Sequence, residues 1–210
     1  MALVDSTLET ALISIFASMG SMTSGGDAYL AKNMALAIKS YILTATVSTT
    51  DAGTVGGTSV YAGSGTGLPG CFVIDNTALE NNLLNCFTAE NVTDGDIGNG
   101  IADSIDSACS QQNIISTSTN GTLTPPSGTP GPYSGTGKGT FTGLKTTISQ
   151  KLLGVGAIKG TFEKMNEMTS GGDALFAKDL AGAIGNYLRN GSVTVVLDSP
   201  ITGGGTGGVE

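Results

Sequence analysis

The stretches of this chain nearest to a chemical motif are glycine-rich. Gly65-Thr-Gly-Leu-Pro-Gly70 has the G-x-G-x-x-G form of a dinucleotide cradle, and Gly137-Lys138-Gly139-Thr140 has the Gly-Lys centre of a phosphate loop. Both chemistries need backbone N–H groups at a helix start turned toward a phosphate. Neither stretch meets that need. Pro69 stands before the third glycine of the first, and no strand–turn–helix pattern surrounds it. In the second, Gly139 holds the position where Ser or Thr must reach magnesium, and Pro132 stands where the opening glycine belongs.

Carboxylates gather at Asp94, Asp96, Asp103 and Asp106. Asp94-x-Asp96-x-Gly98-x-Gly100 compares with a calcium loop but lacks the closing Glu. Two uses stay open for it: a weak structural cation near Asp94 and Asp96, or the capping of a helix start. The chain has no His, so the commonest metal ligand and the commonest general base are both missing. Cys71, Cys86 and Cys109 show no zinc spacing. They are either a reduced, buried trio or one Cys86–Cys109 disulfide with a spare thiol. The expectation is a protein that is not an enzyme, with no catalytic, cofactor-binding or metal-binding residue and no cofactor.

Composition narrows the partners. Lys and Arg number 9 against 17 Asp and Glu, a net charge of −8, which argues against nucleic acid or an anionic membrane. Charged residues are 12% of the chain and aromatics 5%, with no Trp. The surface is therefore polar but largely uncharged, and the core must rely on Ala, Leu, Ile, Val and Met. The opening MALVDSTLET lacks the basic flank of a signal peptide. The apolar stretch from Ala11 to Met19 is too short to span a bilayer and reads as the first helix of the fold.

What must position these residues is an internal repeat. The segment from Phe16 to Val47 aligns without a gap on the segment from Phe162 to Val193, with roughly half the positions identical. A diverged middle copy places Ala102 and Ile105 where the third has Ala181 and Ile184. Leu8, Leu12, Ile15 and Met19 share one helical face, as do Leu79, Leu83 and Cys86. A second helix follows, its inner face Ala28, Ala31, Ala35, Ile38 and Tyr41 in the first copy and Ala174, Ala177, Ala181, Ile184 and Tyr187 in the third. Ser24-Gly-Gly-Asp27 and Ser170-Gly-Gly-Asp173 have the form of a capping box at its start. β-branched runs at 46–50, 114–118 and 193–197 then lead into Gly- or Pro-rich hairpins.

The segment Ala35-Leu-Ala-Ile38-Lys-Ser-Tyr41 through Val47, followed by a Thr/Gly-rich hairpin, resembles segments of small structural proteins of tailed bacteriophages and related contractile particles. The resemblance implies a virion component that decorates a capsid or belongs to the neck, tail or baseplate. It would assemble in the host cytoplasm against other virion structural proteins and copies of itself, with no nucleic acid or membrane as partner.

The expected fold is α+β: three tandem helix–helix–β-hairpin modules at 1–69, 70–139 and 140–210, stacked in line or set round a pseudo-threefold axis. Docking is expected through the hairpin segments 48–61 and 123–133. The alternative function is a surface or secreted binding module that uses hairpin loops for protein or carbohydrate; the scarcity of Trp and Tyr argues against a sugar site, for which Tyr61 and Tyr133 are the only aligned candidates.

Overall fold

The computed structural model describes residues 3–111 and 115–210. Leu8, Leu12 and Ile15 are buried along one face of α1 (Asp5–Met19), and Ala31, Ala35, Ile38 and Tyr41 along one face of α2 (Gly26–Ile42). The same periodicity buries Leu79 and Leu83 on α3 (Asn76–Thr88) and Ile101, Ala102 and Ile105 on α4 (Asp94–Cys109). It continues with Ile148 and Leu152 on α5 (Thr146–Leu153) and with Ala177, Ala181, Ile184 and Tyr187 on α7 (Gly172–Arg189). Each of these six helices packs against the next, and α7 returns to α1, which closes a ring around the apolar faces. The short α6 (Thr161–Asn166) lies against α5 and α7.

Between the helices the chain makes hairpins: β1 (Val47–Val55) with β2 (Ser59–Gly67), β3 (Ile115–Thr124) with β4 (Gly131–Thr142), and β7 (Ser192–Leu197) with β8 (Ile201–Val209). They join edge to edge, in the order β1-β2-β3-β4-β7-β8, into one closed antiparallel barrel. A small separate hairpin, β5 (Gly154–Val155) and β6 (Ile158–Lys159), interrupts the third segment.

A barrel of so few strands has a narrow lumen, because diameter falls with strand number. The inward positions show how it is filled. β1, β3 and β7 turn side chains inward: Val47, Thr49 and Asp51; Ile115, Thr117 and Thr119; Val193, Val195 and Leu197. Between them, β2, β4 and β8 place glycines opposite. Thr49 faces Gly65 and Gly207, Asp51 faces Gly63 and Gly205, Thr117 faces Gly137, and Val195 faces Gly139 and Gly205. A Cβ on Gly137 would stand 2.5 Å from Val195 Cγ1, so a side chain there would collide. Bulky and glycine positions alternate from strand to strand around the middle of the wall, while Tyr61 on β2, Phe141 on β4 and Ile201 and Val209 on β8 fill inward positions near the strand ends. The barrel meets the helices through an aromatic chain in which Phe141 packs edge-on against both Phe72 and Tyr187.

This architecture corrects the expectation of three tandem helix–helix–hairpin modules. Among the described residues there are seven helices and one closed six-stranded antiparallel barrel, a mixed α+β fold. The physical reason lies in the hairpins. A lone two-stranded ribbon is marginal in water and cannot bury an inward face made half of glycine. Closure pairs every edge and lets each glycine strand receive its neighbours' side chains. The third segment departs further, through β5, β6 and α6.

Two local expectations are also corrected. Gly25 and Gly171, not the serines before them, occupy the N-cap positions of α2 and α7 with φ of 72° and 81°, and among the described residues no side chain caps either helix. Only glycine enters that left-handed region freely, so the turn is held by the backbone. Ala28 and Ala174, in the first turns, are exposed rather than part of the inner faces. Ile114, expected in the middle strand, lies outside the described residues.

Candidate functional site: the polar interior of the barrel

The lumen holds a cluster of oxygens that hydropathy would place outside. Asp51, from the inward register of β1, is 1% exposed. Thr49, two residues earlier on the same face, donates its hydroxyl to Asp51 Oδ1 at 2.7 Å. Among the described residues the second carboxylate oxygen, Oδ2, is buried with no hydrogen-bond partner, and so is the hydroxyl of Thr117 on β3. Two residues further along β3, on the same face, Thr119 and Tyr61 share a hydrogen bond of 2.5 Å. Thr119 also donates to the carbonyl of Ser64 at 3.4 Å, which leaves the Tyr61 hydroxyl as donor to Thr119.

Glycines on β2 and β8 make room for this cluster. A Cβ on Gly65 would lie 2.2 Å from Thr49 Oγ1 and 2.6 Å from Asp51 Oδ2, and one on Gly205 would lie 1.9 Å from Asp51 Oδ1. Tyr61 closes the lumen toward the hairpin tips, packed edge-on against Tyr133 with ring centroids 6.1 Å apart. No basic side chain occupies an inward barrel position among the described residues; Lys138, the one cation on the barrel strands, is exposed on the outer wall. The site is therefore a single carboxyl among hydroxyls, walled by glycine and without a countercharge. It has hard oxygen ligands but no imidazole, amine or thiol to move a proton.

The residues singled out from the sequence fall elsewhere. Gly65 and Gly67 lie in β2 and Gly137 to Thr140 in β4, so neither glycine motif opens a helix. Asp96 accepts from the Thr93 backbone and hydroxyl at 2.9 and 2.7 Å, and these bonds hold its carboxyl below the usual range. With Thr93 it forms the capping box of α4. Asp103 pairs with Lys145 at 2.7 Å, and Asp106 accepts from the Tyr187 hydroxyl at 2.7 Å. The four acids thus separate along α4, and among the described residues no cluster of His, Cys, Asp or Glu could hold a metal ion.

All three cysteines are free. Burial, with the Asp106 charge beside it, pushes the Cys109 thiol up to about 12. Cys86 is half-buried under Gly100. Tyr61 is fully buried and cannot serve as an exposed stacking platform, while Tyr133 is half-buried and lines a shallow groove with Asn120 and Pro132. Of the segments expected to be docking loops, 48–61 is mostly strand and leaves only the turn at 56–58; 123–133 leaves the loop 125–130.

No family model, curated protein or solved structure matches this chain. The geometry alone carries the functional reading. Besides the lumen, its second distinctive feature is the outer wall of the barrel. Ser48, Thr66, Ser118 and Thr136 form one cross-strand row, and Thr50, Ser64, Asn120 and Ser134 the next. The charges stand on the helices instead, in pairs such as Arg189–Asp5 at 2.8 Å and Lys151–Asp179 at 2.9 Å. Among the described residues no helix is long and apolar enough to cross a membrane.

Sequence reasoning missed the lumen cluster. Its signal was the alternation Val47-x-Thr49-x-Asp51 opposite a Gly-x-Gly-x-Gly strand, which reads as inward only once closure is known.

Proposed function

We propose that the protein is a non-enzymatic structural subunit of a virus-like particle, packing against virion proteins and copies of itself through the barrel. The observation that carries this reading is the outer wall: rows of Ser, Thr and Asn side chains, with Lys138 the only charge on the outward strand positions among the described residues. Interface cores are depleted of charge, and a closed wall of short side chains can lie flush against a neighbour with little side-chain entropy to lose. A closed barrel also offers no free edge, so packing on its wall does not run on into open-ended strand addition.

The test is the solution mass by light scattering over a concentration series, with imaging of any large species, for the native protein and for Thr66→Lys/Ser118→Lys. Both positions are exposed and outward but stand directly opposite each other on β2 and β3, so the facing lysines should cost about 1 kcal/mol of stability, and the comparison is made well below the melting temperature of both proteins. The expected result is a defined oligomer, ring or shell that the two lysines dissolve. Assembly unaffected by them overturns the wall as the contact. A protein that stays monomeric throughout removes the self-assembling form of the reading and favours a surface binding module.

A further inference from the structure

The lumen cluster has a property that packing alone does not explain. Asp51 is 1% exposed, and among the described residues its only side-chain partner is the Thr49 hydroxyl, leaving Oδ2 empty-handed. Thr117, 4% exposed, faces the same lumen with a hydroxyl that has no partner either. Buried polar atoms are nearly always satisfied, and a buried carboxylate without a counter-ion is among the costliest groups a fold can hold. Removing both would have been simple, since the equivalent inward positions on β7 carry Val195 and Leu197. β2 and β8 instead give up side chains at Gly65 and Gly205, whose Cβ atoms would strike this carboxylate.

We propose that the barrel interior is a binding site for one small monovalent cation, sodium in the first instance, anchored on Asp51 Oδ2 and completed by the lumen threonines, Thr117 foremost. Three features select that class of ligand. Every available donor is a hard oxygen, which favours alkali and alkaline-earth ions over softer metals. One carboxylate matches one positive charge, so a divalent ion would bury an excess charge. The glycine-lined lumen is narrow, which favours a small ion over a large organic one. The ion's role is structural: it neutralises the barrel core and ties β1 to β3 across the glycine strand between them. The site does not depend on the assembly reading, because a monomer would hold the ion as well as a particle would.

The experiment is a melting series on the full chain in sodium chloride, potassium chloride and choline chloride at matched ionic strength. Choline is too large for the lumen and controls for screening. Expected is a rise of several degrees between about 1 and 200 mM sodium over choline, following the logarithm of concentration as for any ligand that binds only the folded state. Asp51→Asn should abolish the sodium–choline difference. Thr117→Val, which keeps the carboxylate and nearly the same shape, should shift the sodium dependence to several-fold higher concentration, and it serves as the test if Asp51→Asn does not fold. Equal melting of the native protein in sodium and choline overturns the proposal. So does a difference that survives in Asp51→Asn, and an unchanged response in Thr117→Val overturns the assignment of that ligand.

Discussion

If the wall glycines exist to receive their neighbours' side chains, glycine-to-alanine changes on the barrel should differ in sign according to the side they face. Gly65 faces inward. Its added Cβ would sit 2.2 Å from Thr49 Oγ1, 2.6 Å from Asp51 Oδ2 and 3.3 Å from Asp51 Cγ, all side-chain atoms. Gly208 lies on β8 with only the Gly191 carbonyl at 4.0 Å. Replacing glycine by alanine inside a strand gains about 0.5–1 kcal/mol when the site is open. Forcing a methyl into a filled core costs about 1–3 kcal/mol.

Gly208→Ala should therefore stabilise by up to about 1 kcal/mol, and Gly65→Ala should destabilise by about 0.5–2 kcal/mol after the same gain is subtracted. Urea unfolding followed by circular dichroism, with slopes compared, measures both. A double-mutant cycle sharpens the test. In a Thr49→Ala background the nearest obstacle is gone, and the penalty of Gly65→Ala should fall by roughly 1 kcal/mol. The reasoning is refuted if Gly65→Ala is as stable as Gly208→Ala, or if removing the Thr49 hydroxyl leaves the penalty untouched.

Two further outcomes can be checked directly. Hydrogen bonds from Arg189 hold the Asp5 carboxyl below its ordinary value, helped by the Tyr41 hydroxyl at 2.5 Å. A depressed folded value means a contribution present above pH ~4 and lost as pH falls through that value, so Asp5→Asn should cost about 1 kcal/mol at pH 7 and the gap should close in acid; a gap unchanged down to pH 3 contradicts it. With Cys71 and Cys109 buried and Cys86 half-buried, a thiol reagent at pH 8 should label Cys86 first and the other two only in denaturant; rapid native labelling of Cys109, read by peptide mass, would place it wrongly.

The helices are largely legible in the sequence. Leu8, Leu12 and Ile15, or Ala177, Ala181 and Ile184, repeat at helical spacing, and burial follows that spacing in each case. The strand runs were legible as well, because Val193-Thr-Val-Val-Leu197 and its counterparts combine β-branching with flanking glycines. Closure was not. It depends on which face of a Gly-x-Gly strand turns inward, and glycine carries no hydropathy to say so. Asp51 was hidden for the complementary reason, since a lone carboxylate in a Thr-rich strand reads as surface. The Ser-Gly-Gly-Asp stretches misled because the pattern of a capping box takes no account of a glycine free to turn left-handed between its members. On α4 the box is real, and it is built by Thr93 and Asp96.

The barrel is closed by its most distant strands. β1 pairs with β8 along its whole length, from Val47 with Val209 to Val55 with Ile201, and Thr46 and Glu210 exchange backbone hydrogen bonds of 3.1 and 2.9 Å beyond them. On a ribosome, β1 would therefore emerge and wait for roughly 150 more residues, some 7–30 s at ordinary elongation rates, before its partner exists. Until then its edge is an unpaired template, and a β8 supplied by a neighbouring chain would fit it in the same register. High local concentration during synthesis thus favours strand exchange between chains, and the speed with which β8 finds its own β1 sets how much of the protein escapes that fate.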